Sequence, residues 1–176
     1  MIFASDKNIL LICGNSGFLK YSKDNGVTWS SCTTPSGSPN LKSLSYNKEN
    51  SVFIAVGTSN DLSTAIIWKS LDGVTWTNIT GLPTSSVSLN KAIWVKQLNK
   101  FVVAASNGNI YTSDGTATTW TSSSVGAGTT DLNAVVYNPA NGIVHVGGNN
   151  ILRYSTDLIT WTAITFNNNV REIAVL

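Results

Sequence analysis

The chain has 176 residues, enough for one domain with a sizeable core, and 42% of them are hydrophobic. Only 11% are charged and the net charge is +2. The basic residues are scattered, which excludes the electrostatic footprint of a protein that binds nucleic acid or an anionic membrane. No apolar stretch approaches the roughly 18 residues that a membrane-spanning helix needs.

Short apolar runs with polar turns between them recur along the chain and predict strands. After an opening repeat within residues 1–34, the runs come in pairs, at 41–46 with 51–56, 91–95 with 100–105, and 132–137 with 142–146. Each pair is followed by a third run, a turn segment and a fourth run. No segment shows a convincing helical period, so we predict an all-β protein.

The turn segment before each fourth run is a repeated motif. It reads YSKDNGVTW at 21–29, KSLDGVTW at 69–76, YTSDGTATTW at 111–120 and YSTDLITW at 154–161. Its tryptophans are spaced by 47, 44 and 41 residues, a period typical of a four-stranded propeller blade. The fourth copy has Leu158 and Ile159 where glycine is expected.

The motif resembles the Asp-box, or BNR repeat, of sialidases, sortilin-like receptors, photosystem assembly factors and phage tail proteins. The resemblance implies a single β-propeller domain over 1–176, with four blades of four antiparallel strands at about 1–34, 41–80, 89–124 and 131–166. It implies structural roles, closing the outer hairpins, for Ser22, Asp24, Gly26, Trp29, Ser70, Asp72, Gly73, Trp76, Thr112, Asp114, Gly115, Trp120, Ser155, Asp157 and Trp161, with Thr112 standing in for serine.

Two segments compete for the first strand of the first blade, namely Met1–Ala4 and 170–176. Our preferred interpretation is that Val170–Val175 closes the ring by completing the blade that contains Ile9–Cys13, with Met1–Ala4 displaced. The alternative is that the ring closes across chains, as half of an eight-bladed assembly or a piece of a longer array.

The two cysteines, Cys13 and Cys32, are predicted on the second and fourth strands of one blade. Strands two places apart are separated by about 9.6 Å, too far for a disulfide, so we expect free thiols. We expect no metal and no cofactor, because His145 is the only histidine and neither a Cys-x-x-Cys motif nor a phosphate loop occurs.

Catalysis is not expected. Sialidases grip their substrate with three arginines, whereas this chain has only Arg153 and Arg171. No pair of carboxylates stands out as a glycosidase pair, and His145 lies in an apolar run.

Binding residues are harder to exclude. Trp68 and Trp94 lie outside the box motif, and Asn60 and Asp61 lie in a long polar loop that could recognise carbohydrate. Packing between blades is the alternative role for both tryptophans.

We therefore expect a non-catalytic interaction or structural module. A phage tail or virion-surface component is favoured, with other virion proteins, host glycans or further copies of the chain as its partners. Its N-terminus has no signal-peptide pattern, so a virion or extracellular surface is the expected location, with the cytoplasm not excluded. The alternatives are a lectin-like propeller and a fragment of a sialidase-like glycan hydrolase.

Overall fold

The computed structural model describes residues 1–83, 87–165 and 167–175. Within them the chain forms four antiparallel sheets of four strands each, and each sheet keeps its strands in sequence order. The prediction of an all-β fold with four four-stranded blades is confirmed. Phe166 and Leu176, the last residues of the predicted fourth blade and of the predicted closing segment, lie outside the described residues.

The strands are short and their bounds follow the apolar runs of the sequence. Blade 1 contains β1 (Ile2–Ala4), β2 (Ile9–Cys13), β3 (Leu19–Ser22) and β4 (Ser30–Ser31). Blade 2 contains β5 (Asn40–Asn47), β6 (Val52–Thr58), β7 (Ala65–Ser70) and β8 (Thr77–Asn78). Blade 3 contains β9 (Leu89–Val95), β10 (Lys100–Ala105), β11 (Asn109–Asp114) and β12 (Trp120–Ser124). Blade 4 contains β13 (Leu132–Asn138), β14 (Ile143–Gly148), β15 (Ile151–Ser155) and β16 (Thr162–Ile164).

The hydrophobic core lies between the blades rather than inside any one of them. Side chains alternate between the two faces of each strand, so one strand can contribute to the interfaces on both sides of its blade. In β6, for example, Ile54 and Val56 face blade 3, whereas Phe53 and Ala55 face blade 1. A third cluster joins blades 3 and 4 around Val102. We call the side of a blade that meets the next blade its forward face, and the other side its back face.

Polar contacts connect the first strands of successive blades. Lys42 reaches forward from β5 to Ser88 and Asn90, at 2.7 and 2.9 Å. The Asn90 amide donates in turn to the carbonyl oxygen of Leu132 at 2.9 Å. These contacts tie blade 2 to blade 3 and blade 3 to blade 4.

One part of the preferred interpretation of ring closure is wrong. Ile2–Ala4 pairs with β2 in the register Ile2–Leu11 to Ala4–Ile9, so Met1–Ala4 is not displaced. Val170 lies on blade 4 instead, where its backbone N–H donates to the carbonyl oxygen of Gly148 at 2.8 Å. No described residue of the C-terminal segment pairs with β2, so the segment does not complete blade 1 within the chain.

None of the helices in the described ranges has both the length and the apolar character needed to cross a membrane.

Candidate binding cleft and box turns

Each box carboxylate is held by groups of its own turn. In the first box Asp24 accepts hydrogen bonds from the Ser22 hydroxyl at 2.7 Å and the Thr28 backbone N–H at 2.8 Å. The Thr28 hydroxyl also donates to Asp24, and these hydrogen bonds lower the pKa of that carboxyl to about 2. Asp72 accepts from the N–H groups of Val74 and Thr75, both at 2.7 Å.

The tryptophans of the first two boxes complete their turns by a hydrogen bond to the box glycine. Trp29 donates through Nε1 to the carbonyl oxygen of Gly26 at 3.0 Å, and Trp76 donates to that of Gly73 at 3.2 Å. In boxes 3 and 4 the Nε1 atoms of Trp120 and Trp161 are buried without a hydrogen-bond partner.

The third box differs from the prediction. Ser113 pairs with Phe101 across the strands, as Ser22 pairs with Leu10 in blade 1, so Ser113 and not Thr112 occupies the serine position. The additional residue in this turn displaced the alignment by one. Ser113 donates to the carbonyl oxygen of Thr119 at 2.7 Å instead of to Asp114.

The fourth box keeps its geometry without glycine. The Leu158 N–H donates to the Ser155 hydroxyl at 2.9 Å, as the Gly73 N–H does to Ser70 at 2.8 Å. Leu158 adopts a φ of 64°, in the left-handed region that favours glycine, and its side chain is buried against blade 3. Asp157, held by backbone N–H groups of its turn, has its pKa lowered to about 2.

Each box carboxylate thus accepts hydrogen bonds within its own turn, through both oxygens in Asp24 and through Oδ1 in Asp72, Asp114 and Asp157. The described parts of the chain do not contain a cluster of three His, Cys, Asp or Glu side chains able to hold a metal ion. These turns therefore act as structural closures of the outer hairpins.

A cleft of about 460 Å³ lies where the chain between β4 and β5 meets the β6–β7 loop and the outer strands of blade 2. Three of the four predicted binding residues, Trp68, Asn60 and Asp61, line it. The remaining walls come from Pro35, Ser36, Gly37, Ser38, Pro39, Ser59, Ile66 and Asn78.

The cleft side chains differ in how far neighbouring groups already engage them. Asp61 accepts hydrogen bonds from the hydroxyls of Ser59 and Ser63, at 2.5 and 2.8 Å, and these lower its pKa to about 2. Trp68 is only 2% exposed, so its ring forms the floor of the cleft and not an open stacking surface. Asn60 and Asn78 are exposed, and their side chains are free to bond to a ligand.

Trp94, the fourth predicted residue, lies elsewhere. Its ring packs on Phe101 with centroids 4.8 Å apart, and its Nε1 donates to Glu49 at 3.2 Å. Glu49 also forms an ion pair with Lys96 at 2.7 Å. Because Glu49 is in the β5–β6 turn, at the opposite end of β6 from Asn60, Trp94 is not part of the cleft.

Sequence reasoning missed the segment from Pro35 to Pro39. Its two prolines and central glycine indicate a turn, but the sequence alone predicts no more than a linker between two blades. The Asn40–Thr58 pair of the β5–β6 hairpin brings Pro39 next to the loop that contains Asn60, whereas no local pattern indicates the path of residues 35–38 along the cleft.

The cysteines, the histidine and Arg153 lie outside the cleft. Cys13 and Cys32 are free thiols, as predicted, and burial raises the pKa of Cys32 to about 11. Burial also lowers the pKa of His145, whose ring lies 6.2 Å from that of Tyr154. Arg153 donates to the carbonyl oxygen of Gly126 at 2.7 Å.

No protein-family model matches the sequence, and no curated protein matches it at a significant level. Solved β-propellers match its structure. An ancestral GH74 enzyme superimposes on 92% of this chain with a TM-score of 0.74 and 16% identity, and the WD40 β-propeller domain of Doa1 on 96% with a TM-score of 0.70 and 12% identity.

YCF48 from Cyanidioschyzon merolae superimposes on 99% of the chain, with a TM-score of 0.65 and 16% identity. YCF48 bound to D1 peptide superimposes on 91%, with a TM-score of 0.61 and 18% identity. The chain spans 23% of the GH74 enzyme and 50% to 58% of the other three structures. At these identities the likeness concerns the fold alone, and that fold is the β-propeller.

Proposed function

We propose that this chain is a non-catalytic Asp-box propeller module that binds a short extended polypeptide of a partner protein in the cleft between the β4–β5 connection and blade 2. The observation that carries the proposal is the convergence of two loops over a buried aromatic floor, with exposed amide side chains at its edge. Clefts of this size on a rigid scaffold, apolar inside and with a few polar groups at the edge, are typical binding sites.

A polypeptide ligand suits the groups that are available. Asn60 and Asn78 each offer an amide donor and acceptor, which can bond to the N–H and C=O groups of an extended chain. Ser36 and Ser38 are exposed on the opposite wall and add hydroxyl groups. One of the structurally similar proteins, YCF48, has been solved with a peptide bound, which supports peptide binding as a use of this fold.

The wider setting that we propose is a phage tail or virion surface, where the module would contact other virion proteins. Support comes from the low charge and the Ser-, Thr- and Asn-rich composition, together with the resemblance of the box segments to those of phage proteins. The absence of catalysis is part of the proposal, and it is supported by the box carboxylates being used within their own turns.

Surface glycans are the second candidate ligand. The hydroxyl and amide groups around the cleft favour it, but the burial of Trp68 removes the exposed aromatic face on which a sugar ring would stack. We therefore rank peptide above glycan.

The proposal is tested by selecting peptides from a displayed random library on the purified chain and measuring their affinity by calorimetry. The variant Asn60→Ala/Asn78→Ala should bind the selected peptides roughly tenfold or more weakly, because two hydrogen bonds of about 1 kcal/mol each are lost. Asn168→Ala, at an exposed asparagine outside the cleft, is the matched control and should bind normally.

Equal affinities for both variants would overturn the cleft as the binding site. Binding on a glycan array that the double variant abolishes, with no peptide selected, would replace the first candidate by the second.

A further inference from the structure

The C-terminal segment, residues 170–175, lies on blade 4 where the first strand of a following blade would lie. The Val170 N–H bonds to the carbonyl oxygen of Gly148 at 2.8 Å, and the Leu41 N–H bonds to that of Gly14 at 3.1 Å. Gly14 and Gly148 occupy the same position of their blades, four residues after Leu10 and Val144, the partners of the box serines. Val170 therefore repeats on blade 4 what Leu41 does on blade 1.

The side chains of the segment are seated against blade 4. A Cβ atom on Gly147 would lie 2.5 Å from Val170 Cγ1 and 3.3 Å from Ile173 Cδ1, so the absence of a side chain at Gly147 makes room for the segment. Glu172 forms an ion pair with Lys91 of β9 at 3.0 Å.

Blade 1 lacks the corresponding part of its first strand. The β1–β2 register ends at the Ile2–Leu11 pair, whereas the β5–β6 register continues to the Leu41–Gly57 pair. No described first-strand residue is therefore paired with residues 12–14 of β2 and its following glycine. A strand edge of this kind is a template for pairing with another chain.

Besides this strand edge, the two terminal blades each have an apolar face that no other described blade covers. On the back face of blade 1, Phe3 is 54% exposed. Tyr46, at the same register position in blade 2, packs instead on the ring of Phe53. On the forward face of blade 4, Ile143 and Leu152 are half-buried, whereas Ile9 and Leu19, their equivalents in blade 1, are buried under blade 2.

We propose that a second copy of this chain occupies both faces. Residues 170–173 of one copy pair with residues 12–14 of the other, in line with the second copy's own β1, and blade 1 of that copy packs on blade 4 of the first. The two junctions are identical, so two copies close into one eight-bladed ring. This assembly does not depend on the ligand proposed for the cleft.

A second copy is favoured because both halves of the missing interface are present on one chain. The chain already forms this interface three times between its own blades, with the same first-strand positions and the same apolar faces. The C-terminal segment is already in the required place on blade 4, so no rearrangement of that blade is needed for pairing.

The first experiment measures the solution mass of the 176-residue chain by light scattering over a range of concentrations. We expect twice the sequence mass of 18.7 kDa. Phe3→Glu should weaken the dimer by roughly tenfold or more, because it places a charge in the packed junction. Leu71→Glu is the matched control, since Leu71 is 59% exposed on an inner blade, and it should leave the mass unchanged.

The second experiment uses the native thiol of Cys13. If Val170 pairs with Gly14 of the second copy as Leu41 pairs with Gly57, then Glu172 lies opposite Cys13 of the second copy, as Ser43 lies opposite Val56. Directly opposed residues are close enough for a disulfide. Glu172→Cys should therefore give a covalent dimer under mild oxidation, and adding Cys13→Ala should abolish it.

A monomer at every concentration, or equal masses for Phe3→Glu and Leu71→Glu, would overturn the proposal. A disulfide between positions 172 and 13 within one chain would also overturn it, because the four blades would then close on themselves. Loss of peptide binding in the cleft with the dimer intact would reject the proposed function alone.

Discussion

Blades 1 and 2 are built from the same repeat but differ in how much of their back faces is covered. In blade 2, Phe53 and Trp76 are buried against blade 1, and Tyr46 stacks on Phe53 with ring centroids 4.1 Å apart. In blade 1, Leu10 and Trp29 occupy the equivalent positions and are only half-buried. The box turns are nevertheless alike, so local hydrogen bonds form the turn and the neighbouring blade supplies the core.

The largest effect should come from removing an aromatic ring from a covered face. Phe53→Ala should lower the free energy of unfolding by about 3–5 kcal/mol, since it leaves a cavity among buried side chains. Leu10→Ala, at the same register position in blade 1, should cost about 1 kcal/mol, because half of the side chain is already in water. Urea unfolding in the Phe3→Glu background keeps association out of the measurement.

Comparable losses for Phe53→Ala and Leu10→Ala would show that blade 1 is covered as completely as blade 2, and the comparison would fail.

Gly57 and Gly14, at equivalent positions near the ends of the second strands, should respond to substitution by alanine in opposite directions. A Cβ atom at Gly57 would lie 2.0 Å from the carbonyl oxygen of Asn40, so Gly57→Ala should destabilise by about 1–3 kcal/mol. At Gly14 the nearest atom, Phe18 Cδ1, is 3.6 Å away and φ is not positive. Gly14→Ala should therefore stabilise slightly, by roughly 0.4–1 kcal/mol, through the unfolded chain.

Thermal unfolding of both variants in the same Phe3→Glu background checks this pair. A destabilised Gly14→Ala would mean that a residue stands opposite Gly14 even in the monomer.

The smallest effect concerns the box turn without glycine. Leu158→Gly relieves about 1–2 kcal/mol of left-handed strain but loses about 1.5–3 kcal/mol of apolar burial, so the net loss should be near 1 kcal/mol. Leu158→Ala loses the burial and keeps the strain, so it should be less stable than Leu158→Gly. Chemical denaturation of the two variants measures the order, and a more stable alanine variant would contradict it.

The sequence was sufficient for the blades because each one carries its own signals. The spacing of Trp29, Trp76, Trp120 and Trp161 and the paired apolar runs are local, and the structure follows them. Thr112 was misplaced because an inserted residue shifts an alignment made on letters, whereas strand pairing with Phe101 selects Ser113.

Features that depend on stacking could not be predicted. Met1–Ala4 and 170–176 both have the pattern of a first strand. Only the packing of Val170 and Ile173 against Gly147 shows that the C-terminal segment lies on blade 4. The β5–β6 hairpin brings Pro39 next to the loop that contains Asn60, but no local pattern indicates how residues 35–38 run along the cleft.

Leu158 also bears on how such repeats diverge. Once a side chain at the turn glycine can be buried against the preceding blade, the energy gained offsets the backbone strain, and selection for glycine at that position relaxes. Repeats that face a neighbour should therefore lose this glycine first during evolution. Gly26, whose blade has no preceding blade within the chain, keeps it. Gly73 keeps it as well, because a Cβ atom there would lie only 3.1 Å from Ile9 Cδ1 of blade 1, which leaves no room for a larger side chain.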